Sequence, residues 1–175
     1  MTNFTLTKAE KLLNLALENY EEELKDYIIG IKKSNKFSVA ISFLSCNIKI
    51  TNKMQSSSFK EFLPGYLREI FNFNTNNYGI YNFDECFAFL HEIGHLVHYI
   101  ECDNEEEQYN YFYSQLANNS SREAFYKYRE IETERLADGF AVEMLTKFKV
   151  EIWAIMNEIS ISKAKEEISV WDMFK

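Results

Sequence analysis

The sequence predicts an α+β fold, a small sheet of about three strands flanked by helices. Three observations lead there. Apolar residues recur at helical spacing over most of the chain, with polar residues on the opposite faces. Between residues 37 and 51 the period drops to two, the mark of half-buried strands. Finally, 175 residues with 46% hydrophobic and 16% aromatic content can bury one core without staples. No internal repeat or linker-like stretch divides residues 1–175, so one domain is expected.

Composition also excludes function classes. A formal net charge of −8 disfavours a direct nucleic-acid partner, because phosphate neutralisation needs a basic surface. Cys46, Cys86 and Cys102 are odd in number and form no C-x-x-C pair, which suits a reduced, cytoplasmic protein. They read as small buried hydrophobes. The N-terminal run MTNFTLTKAEKLL turns charged too early for a secretory signal, and no apolar run approaches membrane-spanning length.

Taken in order, an amphipathic helix is expected from Lys8 to Ile31, with Glu21-Glu22-Glu23 on its solvated face. Phe37–Leu44 and Asn47–Thr51 alternate with period two and read as paired strands joined by a tight link. Thr51–Ser58 reads as a loop, Pro64-Gly65 as a turn, and Tyr66–Phe71 as a short helix. After a turn at Asn74–Asn77, Tyr78–Phe83 is the third candidate strand. Asp84 is the expected N-cap of a helix over Glu85–Glu101, whose apolar stripe is Cys86, Leu90, Ile93, Val97 and Ile100. The opposite side carries His91, Gly94, His95 and His98, which leaves it free for chemistry. An acidic stretch (103–108) and an aromatic run, Tyr109–Tyr113, precede one long helix from Ser121 to Phe148. Helices over Val150–Ile159 and Ala164–Phe174 close the chain.

All three histidines fall within residues 91–98, and His91-Glu92-Ile93-Gly94-His95 is a His-Glu-x-x-His string. On a helix, positions i and i+4 lie one turn apart on the same face, so two imidazoles can grip one ion. Glu92 sits at the edge of that face, where it can act on a water at the metal. This is the chemistry of a zinc hydrolase. A glycine inside a helix costs about 1 kcal/mol against alanine, so Gly94 fits a point of close approach.

A catalytic zinc needs a third protein ligand. Glu134 and Asp138 share a helical face with Ala137 and Ala141, two small residues that let this helix approach the motif helix. Glu134 is then the third ligand, and Asp138 accepts a hydrogen bond from the far nitrogen of one histidine. Glu130, one turn earlier on that face, is the alternative ligand. His98 sits one turn beyond the ion, and it, Tyr126 and Tyr128 are candidate donors to an oxyanion. The longer metzincin motif would need glycine at position 98 and histidine at 101, where His98 and Glu101 stand, so that class is excluded.

These residues resemble the ImmA/IrrE-type metallopeptidases, zinc proteins of the gluzincin kind. The resemblance rests on His91-Glu92-Ile93-Gly94-His95-Leu96 and, downstream, Glu134-Arg-Leu-Ala137-Asp138-Gly-Phe140-Ala141. It covers about Phe37 to Leu145 and is specific only in the two motif helices. It implies a zincin-like fold, with Zn2+ on His91, His95 and Glu134. Glu92 would be the base and Asp138 an orienting residue. The implied substrate is a protein or peptide, in a stand-alone member of the kind carried by phage and mobile elements. The 38 residues between His95 and Glu134 exceed the family's usual spacing. No DNA-binding module is recognisable. The rival expectation is a zinc-containing regulatory protein that binds its partner through Tyr109–Tyr113 without cleaving it; a further possibility is a helical protein without metal.

Overall fold

The computed structural model describes residues 4–34, 38–42, 45–50, 57–77, 82–98 and 121–172. It is a mostly helical α+β arrangement with a small sheet. The first helix, α1 (Leu6–Asn19), is capped by Thr5, whose side chain accepts from the Lys8 amide, and it buries Ala9, Leu12, Leu13 and Ala16. It does not continue to Ile31 as the apolar spacing suggested. The chain breaks at Tyr20, and Glu21-Glu22-Glu23 open a separate short helix, α2 (Glu21–Leu24). Carboxylates at a helix N-terminus face the positive end of its dipole, which favours a new start there. The β-branched, glycine-containing run Ile28-Ile29-Gly30-Ile31 then becomes strand β1 (Ile28–Lys33).

Strands β2 (Ser38–Ser42) and β3 (Ser45–Ile50) pair antiparallel, as their alternation predicted. β3 is central, and β1 pairs with it in parallel, Ile28 opposite Ser45 and Lys33 opposite Ile50. Cys46, Ile48 and Ile50 on β3 point into the core at period two. Among the described residues the third strand is β1. Of the expected strand Tyr78–Phe83, residues 78–81 lie outside the described residues and Phe83 opens a helix.

Helix α3 (Ser57–Phe71) runs through the expected turn, with Pro64 inside it. Proline inside a helix costs on the order of 3 kcal/mol. Burial of Leu63, Tyr66 and Leu67, each at most 1% exposed, holds the helix together across it. The motif helix α4 (Phe83–Val97) begins two residues before the expected start, after Asn82 in the left-handed region (φ 56°), and His98 caps its C-terminal end. Asp84 lies in its first turn and is not the N-cap.

The long helix expected from Ser121 to Phe148 is two helices. Ser121 does cap α5 (Arg122–Arg129), accepting from the Ala124 amide. Ile131 then adopts an extended backbone (φ −57°, ψ 132°), and α6 (Glu132–Lys147) starts in a new direction. The Ile131 side chain, 5% exposed, is buried at this break. Helices α7 (Lys149–Asn157) and α8 (Ile161–Asp172) follow near the expected places.

The most extensive helix–helix contact is α4 against α6. Cys86, Leu90 and Ile93 bury fully, as the apolar stripe predicted, but His91 and Gly94 are buried as well. The part of that face formed by His91 and Gly94 is therefore covered by α6, while His95 and His98 stay partly exposed. Among the described residues, no helix is long and apolar enough to cross a membrane. Cys102, the acidic and tyrosine-rich stretches and Glu101 lie outside the described residues. Cys46 and Cys86 are free and buried, and burial pushes the Cys46 thiol up to about 11.

Candidate metal centre

The centre begins with a missing side chain. A Cβ on Gly94 would lie 2.8 Å from both Cα and the carbonyl oxygen of Ala137, and 3.1 Å from Cβ of Phe140. No side chain fits there, so glycine sets how closely α4 and α6 approach. Ala137 and Ala141 meet α4 fully buried. At this separation a carboxylate on α6 can reach the imidazoles of α4.

Glu134 does so. Its Oε2 lies 3.2 Å from His91 Nε2, and its Oε1 lies 3.5 Å from His95 Nε2. The two ring nitrogens are 3.0 Å apart. Zinc held at about 2.0–2.1 Å with tetrahedral angles sets neighbouring ligand atoms roughly 3.3 Å apart. The His91–His95 and His91–Glu134 Oε2 separations lie close to that value, the 3.5 Å contact of His95 is with the other carboxylate oxygen, and His91, His95 and Glu134 form a group that could hold a metal ion. Two further observations fit a cation here. Glu134 Oε2 is buried with only His91 Nε2 at 3.2 Å and Arg129 Nη1 at 3.8 Å close to it among the described residues, so its negative charge favours a cation at this point. Tyr128 donates to Oε1 at 2.7 Å, which ties that oxygen and leaves Oε2 to face inward.

The outer side of His91 is fixed too. Its Nδ1 lies 2.9 Å from Asp138 Oδ1, and a carboxylate only accepts. The Nδ1 proton therefore belongs to this bond, which turns Nε2 toward the other ligands. Arg129 Nη1 donates to the same Oδ1 at 2.5 Å.

Charge follows this geometry. Burial and Arg129 oppose the protonated form of His91, yet the Glu134 carboxylate and the Asp138 bond prevail and hold it near 9 in the metal-free centre. Burial and the neighbouring His91 push His95 down to about 4. Burial opposes ionisation of Glu134, but the histidines and Arg129 keep its carboxyl down at about 2. The His95 side chain keeps 19% exposure against 2% for Glu134, so the cluster reaches solvent on the His95 side.

The remaining candidates fall as follows. Glu92 is half-buried on α4 next to His91. Glu130 is exposed at the break between α5 and α6 and is not in the ligand group. On one continuous helix it would share the Glu134 face; the bend at Ile131 removes it. Tyr126 receives a hydrogen bond from Arg122 at 3.3 Å and packs edge-on to Tyr66, on the seam between α3 and α5. Tyr128 is at the centre, but its hydroxyl proton is committed to Glu134. His98 lines a cleft with Ile70, Phe71, Leu136 and Phe140.

Sequence reasoning missed Arg129. On a continuous helix, residues nine apart point roughly 180° away from each other, so Arg129 and Asp138 could not meet. Only the break brings them together, and the local hint of it is weak, the β-branched Ile131 and Thr133 among good helix formers. Comparison with protein-family models, curated proteins and solved structures finds no match to this chain.

Proposed function

We propose that this chain is a zinc-dependent metallopeptidase of the ImmA/IrrE, gluzincin type. On this reading the pairing of α4 with α6 is the zincin-like element of the fold. The observation that carries the reading is the convergence of His91 Nε2, His95 Nε2 and the Glu134 carboxylate at 3.0 to 3.5 Å, with Glu92 adjoining His91. A structural zinc closes with four protein ligands, whereas three ligands and a solvent-facing side leave room for a reactant.

His91, His95 and Glu134 would hold the ion, which when bound supplies Lewis acidity, acidifying a water and polarising a scissile carbonyl. Asp138 keeps the His91 proton on Nδ1, so that Nε2 offers its lone pair. Tyr128 holds Glu134 Oε1 and so directs Oε2 inward. The Glu92 carboxylate takes the water proton and delivers it to the leaving amine nitrogen. The substrate is a protein or peptide segment entering from the His95 side.

Glu92→Gln tests the reading. The variant should bind zinc like the wild type and fail to cleave a degenerate peptide mixture that the wild type cleaves, as read by mass spectrometry. Equal cleavage by both proteins would remove Glu92 as the base. In cells, an unchanged phenotype for Glu92→Gln would favour the rival reading, a zinc protein that binds its partner without cutting it.

A further inference from the structure

The chemistry proposed above gives Arg129 no role, yet it is buried beside the centre, at 6% exposure. It comes from α5, outside both motif helices. Nη1 donates to Asp138 Oδ1 and lies 3.3 Å from His91 Nδ1 and 3.8 Å from Glu134 Oε2. Its planar head lies over three rings, with Cζ 5.3 Å from the centre of Phe59, 5.5 Å from Phe125 and 5.8 Å from Tyr128. Tyr66 from α3 donates to its main-chain carbonyl at 3.3 Å.

A guanidinium in this place is costly. Burying an ion carries a penalty of several kcal/mol, recovered only with good pairing. Here Arg129 Nε has no hydrogen-bond partner. The group also sits beside a site suited to a dication, where its charge opposes the metal. A device that served packing alone would be better placed elsewhere. What Arg129 does contribute is direction. Two donors, Nη1 and His91 Nδ1, converge on one Asp138 oxygen, so the ring cage that fixes the guanidinium also fixes that oxygen. The oxygen in turn fixes the His91 ring plane.

We infer that Arg129 is a positioning residue for the metal ligands, acting through Asp138 to set the orientation of His91. The inference rests on the reading of His91, His95 and Glu134 as a metal site, and not on peptide hydrolysis. Groups of this kind typically affect metal affinity by about 10–100-fold. Lysine cannot replace arginine fully here, because an ammonium lacks the planar fork that stacks on aromatic faces.

The test is a double-mutant cycle on the whole chain with Co2+ as the probe, reading affinity and the visible absorption band that reports ligand geometry. Arg129→Met should weaken Co2+ binding by about 10–100-fold and shift the band. Arg129→Lys should recover part of the loss. Asp138→Asn should show a similar loss, and adding Arg129→Met to it should cost little more. Wild-type affinity and band in Arg129→Met would overturn the inference, as would additive losses in the double variant. Should Arg129→Met not fold, the cycle runs with Arg129→Lys under the same criteria. Failure of the wild type to take up Co2+ would instead remove the metal site itself, and this inference with it.

Discussion

Two seams meet at the centre and are built in opposite ways. Between α4 and α6, contact depends on small groups: Gly94, Ala137 and Ala141, with backbone almost touching backbone. Between α3 and α5, contact depends on large rings. Phe125 lies 6.2 Å from Phe59, 6.0 Å from Phe62 and 6.0 Å from Tyr66, with steeply tilted or edge-on planes. The first seam leaves no room for even a methyl at Gly94 and so sets how closely the two ligand-bearing helices approach. The second is a cushion whose rings can readjust, and it holds Arg129 from behind. Geometry that chemistry depends on is set where a side chain is absent, while support is supplied where side chains are large.

The contrast breaks most visibly at Gly94. Gly94→Ala places a methyl 2.8 Å from two backbone atoms of α6, so the helices must separate. Overpacking of this kind costs about 1–3 kcal/mol, offset in part by roughly 1 kcal/mol of alanine helix propensity. Metal binding should be lost even where the fold survives. Calorimetry paired with metal titration checks this, and wild-type zinc affinity in Gly94→Ala would show that the seam has slack after all.

Metal removal comes next in size. A ligand at a hundred times its Kd stabilises the folded state by about 2.7 kcal/mol, so a chelator should lower Tm and excess zinc should restore it. An unchanged Tm at saturating zinc would argue against binding to the folded chain.

The pH dependence sharpens the account, because its sign differs with and without metal. His91 in the metal-free centre is raised to about 9 from an ordinary value near 6.5. Its contribution is therefore complete below about pH 6.5 and is lost as pH climbs through 9. His95, lowered to about 4, works the other way: its contribution is present above about 6.5 and lost as pH falls through 4. Metal-free stability should thus peak between these windows and decline toward alkaline pH. Zinc affinity should rise over the same alkaline range, since the ion competes with the His91 proton. Melting curves at several pH values, with and without zinc, separate the two trends.

On the cushioned seam the effects should be smaller. Phe125→Leu removes ring contacts but can repack, at a cost of about 1 kcal/mol, with zinc affinity reduced by less than Arg129→Met reduces it. Smallest of all, Lys127→Ala removes an exposed pair with Glu123 on α5 and should leave Tm where it was.

Much of the centre was legible in the sequence because helical spacing is a local property. The i, i+4 pair of His91 and His95, and the shared face of Glu134, Ala137 and Asp138, each lie within one unbroken helix. The paired strands β2 and β3 were legible for the same reason, their alternation being local. Where the chain changes direction, periodicity gave no warning. Tyr27 and Ile28 continue the helical spacing of α1, yet β-branching and pairing with β3 make that segment a strand. The break at Ile131 is the clearest instance. It separates Glu130 from Glu134 and brings Arg129 to Asp138, and both outcomes depend on tertiary burial of Ile131 and Arg129. Pro64 misled in the other direction, since a buried flank can carry a helix through a proline.

A crystal soaked with zinc, examined by anomalous scattering at the zinc edge, tests the central claim most directly. The account predicts one peak bonded to His91 Nε2, His95 Nε2 and Glu134 Oε2, each at about 2.0–2.2 Å. Zinc bound elsewhere on the chain, or held by the histidines with the Glu134 carboxylate turned away, would contradict it.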